Sequence, residues 1–335
     1  MDPVTHLLAS YTLARAARAR VASPEMAAFL LAGIVPDVDW LWHLPEPLSP
    51  LRAYGTAGHS LVGVAVLSAA VGCGVWAAAR KHRAQAPPLV WLLAAAFVSA
   101  GAHLLLDLAS VSGIELYWPF LPTRISWNLV SGFDAILLTI LAGCALLAAL
   151  FGLVTEEIGQ QKDPRPPRGW AVTALALVVL YFGARAFLHA RAEQLLGDAE
   201  FHGAVPRHWA AFPSGSSPFS WRGVVETDSF LAEVEVPVGT GRPLSAEMAS
   251  LHYKPEASPQ LDAAAAAPLA RAYTVLARFP VLALEGTTEG THAELHELGD
   301  SVLRSSRGAW RAVVELDAQL KVVRQELRYD VPRAP

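Results

Sequence analysis

The chain has 335 residues, of which 53% are hydrophobic and 17% charged, with a formal net charge of −4. A soluble domain carries about 25% charged residues, so the shortfall and the mean hydropathy of +0.34 argue for membrane spans. The pI of about 6.3 lacks the basic footprint of a nucleic-acid binder, and no nucleic-acid partner is expected.

The amino terminus does not read as a secretory signal, because Asp2 stands where a basic segment belongs and Arg15, Arg18 and Arg20 come after the apolar stretch. Two short apolar segments come first, Val4–Val21 and Pro24–Val35. They read as a helical hairpin packed against a bundle. Four longer runs follow, Leu61–Ala79, Leu89–Leu106, Ala135–Val154 and Trp170–Leu188, each near the ~20 residues of helix that cross a bilayer. Cys73 and Cys144 fall inside these runs and read as small buried hydrophobes. Basic loops mark the cytoplasmic side. "RKHR" at Arg80–Arg83 and "QKDPRPPRG" at Gln161–Gly169 are such loops, whereas Asp107–Asp134 holds only Arg124. The stretch Asp107–Asp134 and everything beyond about Arg191 are therefore expected outside an inner (plasma) membrane.

After Leu196 the pattern changes to period-two alternation, as in Ser220–Val238 and Gly308–Asp330, which marks half-buried strands. Asp262–Phe279 reads as one helix, opened or kinked at Pro268. The expected fold is an α-helical polytopic membrane bundle of four to six helices (residues 1–195) with a C-terminal, mainly antiparallel α+β domain outside the membrane (residues 196–335).

Several polar residues break the apolar pattern. His6 lies behind Asp2 and Pro3, which look like an N-cap and first helical residue. Asp37 and Asp39 follow Pro36, where extended chain would point both the same way. His59 precedes the first long run. His103 and Asp107 are i and i+4 on one helix face, and Asp134 opens the third run. The charge count puts all of them at the outer helix ends. Imidazoles with carboxylates suit zinc or another transition metal, and this set exceeds what one tetrahedral zinc uses. Two divalent ions would account for the surplus, as would one ion with carboxylates orienting its histidines. Asp39 is either a ligand or a general base, and Asp134 either a ligand or a cap. His43, beside Trp40 and Trp42, fits an aromatic belt. His292 and His296 lack the H-E-x-x-H order and lie in a strand pattern. There is no nucleophile elbow and no phosphate-cradling loop, so metal-activated water is the expected attacking group.

"MDPVTHLLAS", "AGIVPDVDWL", "GHSLVG", "HLLLDLASVSGIELYWPF" and "FDAILL", in that order, resemble the YdjM-like family of inner-membrane metal-dependent hydrolases, and "SPFSWRGVVETDSFL" resembles its long form. The resemblance implies a metal-dependent hydrolase with His6, Asp37, Asp39, His59, His103 and Asp107 as the matching polar positions. More remotely the pattern is similar to zinc-dependent phospholipase C, without its later His-x-x-x-Glu pair. Where family members carry a form like H-R-G-x-T-H-S, this chain reads "RAYGTAGHS", and Arg52 or Arg124 is the candidate replacement for the basic residue. The expected substrate is a phosphoester or related ester, lipid or lipid-linked, met in the bilayer. The rival readings are a metal-binding transporter and a membrane-anchored adaptor without catalysis.

Overall fold

The computed structural model describes residues 1–43, 55–82, 86–121, 123–157, 168–215, 217–239, 241–288, 290–301, 303–305 and 308–331. Arg52, Arg83, residues 161–167 of the second basic loop and the side chains of Trp40, Trp42 and His43 lie outside what is described. Two compact units emerge, one made of Met1–Leu44 with Ala53–Arg185, the other containing Ala186–Pro335.

The first unit is a helical bundle. α1 (Pro3–Ala16) starts where the Asp2 carboxylate accepts the Thr5 N–H at 2.9 Å. α2 (Pro24–Ala32) starts in the same way, with the Ser23 hydroxyl accepting from Met26 N at 3.2 Å. In both, proline follows the cap, where its missing N–H costs nothing. α3 (Leu61–His82), α4 (Leu89–Ala109), α5 (Ala135–Glu157) and α6 (Gly169–Asp198) are the long apolar elements. Helix is the form in which such runs satisfy every backbone polar group inside lipid. Leu61–Lys81, Leu89–Ala109 and Gly169–Asp198 are long and apolar enough to cross a membrane, and the described apolar part of α5, Ala135–Leu150, is shorter.

Small residues bring these helices close. Ala14 of α1, Ala28 of α2 and Leu92 and Ala95 of α4 are buried in one cluster, and Ala32, Val64, Ala96 and Ala100 in a second that joins α2, α3 and α4. The cysteines depart from expectation. Cys73 is exposed and Cys144 half-buried, both as free thiols. On a spanning helix the outward face meets lipid, so an apolar thiol has no need of the protein interior.

The second unit begins within α6. Its last turns carry Ala192 and Leu196 onto a sheet of order β1 (His208–Pro213), β2 (Ser220–Glu226), β3 (Phe230–Pro237), β4 (Ser250–Tyr253), every pair antiparallel. Trp221, fully buried, lies opposite Val236. Gly223 leaves the space that Leu196 occupies, since a Cβ there would come within 2.5 Å of Leu196 Cδ2.

The second sheet runs β5 (Pro280–Thr287), β6 (Gly290–Glu297), β8 (Gly308–Asp317), β7 (Arg304–Ser305), with β9 (Val322–Asp330) also on β8. Its cover is not one helix but two, α7 (Pro259–Ala266) and α8 (Pro268–Leu276). Ala267 between them is extended (ψ 139°), because the residue before proline is driven out of the helical region; Pro268 opens the second helix. Tyr273 of α8 is buried against Ala293, Ala312 and Val314 and donates its hydroxyl to Trp310 O at 2.7 Å. Arg222 of the first sheet reaches Asp300 (2.6 Å) and the Leu298 carbonyl (2.5 Å) beyond β6. The molecule is thus a membrane bundle joined to a mainly antiparallel α+β part.

Candidate metal centre

His103 and Asp107 project from one face of α4, and their ligand atoms, His103 Nε2 and Asp107 Oδ2, are 3.1 Å apart. His59 enters from the segment before α3 with Nε2 3.1 Å from the same Asp107 oxygen and 3.2 Å from His103 Nε2. Asp37 supplies a fourth atom, Oδ1, 3.5 Å from His59 Nε2 and 3.6 Å from His103 Nε2. A tetrahedron whose corners lie ~2.0–2.1 Å from a central zinc has edges of roughly 3.3–3.4 Å. All five separations bracket that value. His59, His103 and Asp107 are buried, and Asp37 is the most open member, 17% exposed.

The protons of the two histidines follow from their other nitrogens. His103 Nδ1 faces the Gly33 carbonyl at 2.8 Å, and His59 Nδ1 faces Asp39 Oδ2 at 3.0 Å. Both partners are acceptors, so each Nδ1 carries a hydrogen, and in the neutral tautomer this leaves, each imidazole turns a lone pair on Nε2 toward the other ring and the two carboxylates. Asp107 Oδ2 and Asp37 Oδ2 have no hydrogen-bond donor. Buried acceptors packed against one another are costly, and a divalent cation is the species that satisfies them together. The donor set therefore fits a metal.

His6 completes the group. Its ring stacks on His103 with centroids 3.7 Å apart, Nε2 lies 3.3 Å from Asp107 Oδ1, and neither ring nitrogen has a hydrogen-bond partner. The Met1 amino group also contacts Asp107 Oδ1. His6, Asp37, His103 and Asp107 offer ligand atoms all within 4.8 Å of one another.

Two predicted positions differ from expectation. Asp37 and Asp39 do not share an extended segment; they lie in a 3-10 helix, Val35–His43. With about three residues per turn, positions i and i+2 point apart. Asp37 therefore turns to the cluster, while Asp39 goes behind His59, accepting from His59 Nδ1 and from Gly58 N–H (2.7 Å). Asp39 thus lies on the Nδ1 side of His59. Asp134 takes the capping alternative. It accepts from Leu137 N (2.9 Å) at the start of α5 and from the Tyr181 hydroxyl (2.7 Å). Arg124 donates to the Gly113 carbonyl at 3.1 Å, a bond internal to its own loop.

Supporting residues escape sequence reading. Gly33 presents the carbonyl that holds His103, and a Cβ on it would lie 1.8 Å from Ser10 Oγ. Ser10 donates to His6 O (2.8 Å), and Ser99 Oγ lies 2.6 Å from Phe29 O, to which it donates, and 2.9 Å from Ser10 Oγ, tying α1, α2 and α4 behind the cluster. A Cβ on Gly58 would come within 2.6 Å of Asp39 Oδ1. The one sequence signal was glycine itself, in "LAGIV" and "AGHS".

The chain matches no curated protein and no solved structure. A family model described as YdjM inner membrane protein matches residues 1–192, the stretch that contains every residue of the cluster. The chain therefore belongs to the YdjM inner membrane protein family.

Proposed function

We propose that the chain is a membrane hydrolase that binds a divalent cation, zinc by the chemistry of its donors, and cleaves a phosphoester or related ester on a lipid or lipid-linked substrate. The observation that carries this reading is the set of four buried or half-buried ligand atoms, on two imidazoles and two carboxylates, spaced 3.1–3.6 Å apart. A cation held there supplies Lewis acidity toward the scissile group's oxygen and makes water acidic enough to attack at neutral pH.

The chain's own residues do the rest. His59, His103, Asp37 and Asp107 hold the cation. Asp39 and the Gly33 carbonyl fix the two imidazoles in the tautomer that aims each Nε2 lone pair at the cation, the usual task of such supporting partners. Asp37 is the most open of the four, so its carboxylate is the one best placed to take a proton from an attacking water. His6, with Nε2 3.3 Å from Asp107 Oδ1, is the imidazole that would serve a second cation. By the basic loops, the cluster and the 196–335 domain lie on the outer side of the membrane, carried by the 1–195 part; cysteine accessibility at Gly132 and at Arg80 tests that orientation.

The hydrolase reading is tested by metal-supplemented assays of model phosphoesters and phospholipids in detergent, with Asp39→Asn as the informative variant. The amide keeps the shape of the carboxylate but weakens the hold on His59 Nδ1. Cation affinity should fall by ~10–100-fold in a chelator-competition titration, with turnover falling in parallel. Unchanged affinity would show that Asp39 orients nothing. Lack of metal-dependent turnover on any ester would remove the hydrolase reading.

A further inference from the structure

The segment between α4 and α5 is internally bonded yet turns its aromatic side chains outward. Ile114 and Ile125 exchange backbone hydrogen bonds of 2.9 and 2.8 Å, and Trp118 N donates to Glu115 O and Phe120 N to Tyr117 O. Two anchors fix its depth. Leu61 N, at the first residue of α3, donates to Leu116 O at 3.0 Å. Trp127 N and Leu129 N donate to Leu108 O and Ala109 O in the last turn of α4. The loop is therefore pinned to the ends of two membrane-spanning helices, at the end where His59, His103 and Asp107 meet.

From this frame Tyr117, Trp118, Phe120, Leu121, Trp127 and Phe133 are exposed, Phe120 at 78% and Leu121 at 55%. Between residues 110 and 133 the charged residues are Glu115 and Arg124, opposite in sign and 4.0 Å apart. So many exposed apolar and aromatic side chains on one short loop mark an interaction site. Tryptophan and tyrosine beside phenylalanine and leucine, at the end of spanning helices, are what the headgroup boundary of a bilayer accommodates. A docking surface for a charged partner would need charge, which this one lacks.

We propose that the exposed side chains of this loop rest in the interfacial layer of the leaflet at the metal-centre end, with Phe120 and Leu121 at the acyl boundary and Tyr117, Trp118 and Trp127 among the headgroups. The partner is the phospholipid interface itself, bound through apolar contact and not through lipid charge. The inference goes beyond the hydrolase reading and stands or falls apart from it.

The test uses the full chain with Cys73 and Cys144 replaced by alanine and one spin label, at Phe120→Cys, with Leu121→Cys as the second variant should the first not fold. In zwitterionic phosphatidylcholine vesicles, the label's relaxation by oxygen and by a water-soluble nickel chelate is compared with that of a label at Met248→Cys, a residue 84% exposed on the second unit. The expected result is oxygen relaxation with loss of the nickel effect relative to position 248, unchanged by anionic lipid or by salt. Nickel relaxation equal to that at 248 would place the loop in water and overturn the proposal. Exclusion of both reagents would show that protein covers the loop, and would overturn it as well.

Discussion

Asp107→Ala should leave the purified protein without a bound cation and, on the proposed function, without hydrolysis above background. Asp107 is the carboxylate on which the whole cluster converges. Its Oδ2 is 3.1 Å from both His59 Nε2 and His103 Nε2, and its Oδ1 is 3.3 Å from His6 Nε2. Removing a group that only orients a ligand costs ~10–100-fold in affinity, so deleting a ligand common to three imidazoles should exceed that range. Elemental analysis after gel filtration in detergent reads the loss directly. Asp134→Ala is the matched control. It removes a carboxylate that caps α5 and pairs with Tyr181, so it should keep its metal while losing ~0.5–2 kcal/mol of stability at the cap. Full metal content in Asp107→Ala, or loss of it in Asp134→Ala, would invert the assignment of the two aspartates.

Asp37→Asn separates the cation's contribution to stability from the protein's own. A cation at a thousand times its Kd adds about 4 kcal/mol to the folded state, visible as a higher Tm on metal addition. In the variant that gain should vanish. Without metal, however, the variant should melt no lower than the wild type. An amide at position 37 brings N–H donors to the histidine nitrogens 3.5 and 3.6 Å away and removes one half-buried negative charge from beside Asp107. The check is thermal unfolding in detergent with and without chelator. A variant that still gains stability from metal, or one that is much weaker in its absence, would contradict the proposed role of Asp37.

The parts legible in the sequence are those set by local pattern. Apolar run length gave the four long helices, since a span announces itself without any knowledge of neighbours. Period-two alternation gave β2, β3, β8 and β9, and it kept His292 and His296 in a strand, where β6 places them. Spacing gave the His103–Asp107 pair, because i and i+4 share a helix face whatever surrounds them. What failed depended on backbone detail or on tertiary approach. Extended chain and a 3-10 turn are both short and both compatible with Pro36, yet they send Asp37 and Asp39 to one side or to opposite sides. A capping aspartate and a metal-binding one look alike in sequence, and Asp134 differs from Asp107 only in what packs beside it. Gly33, Ser10 and Ser99 carry no charge and follow no motif. Their part comes from the close meeting of α1, α2 and α4, which only the assembled bundle shows.

The measurement that bears most directly on the metal centre is X-ray absorption at the zinc edge of the full-length protein, loaded with zinc and freed of loose metal. The geometry predicts nitrogen and oxygen neighbours at ~2.0–2.1 Å, with the multiple scattering of at least two imidazoles and no sulfur shell. A protein that retains no stoichiometric metal, or holds it without imidazole, would contradict the account.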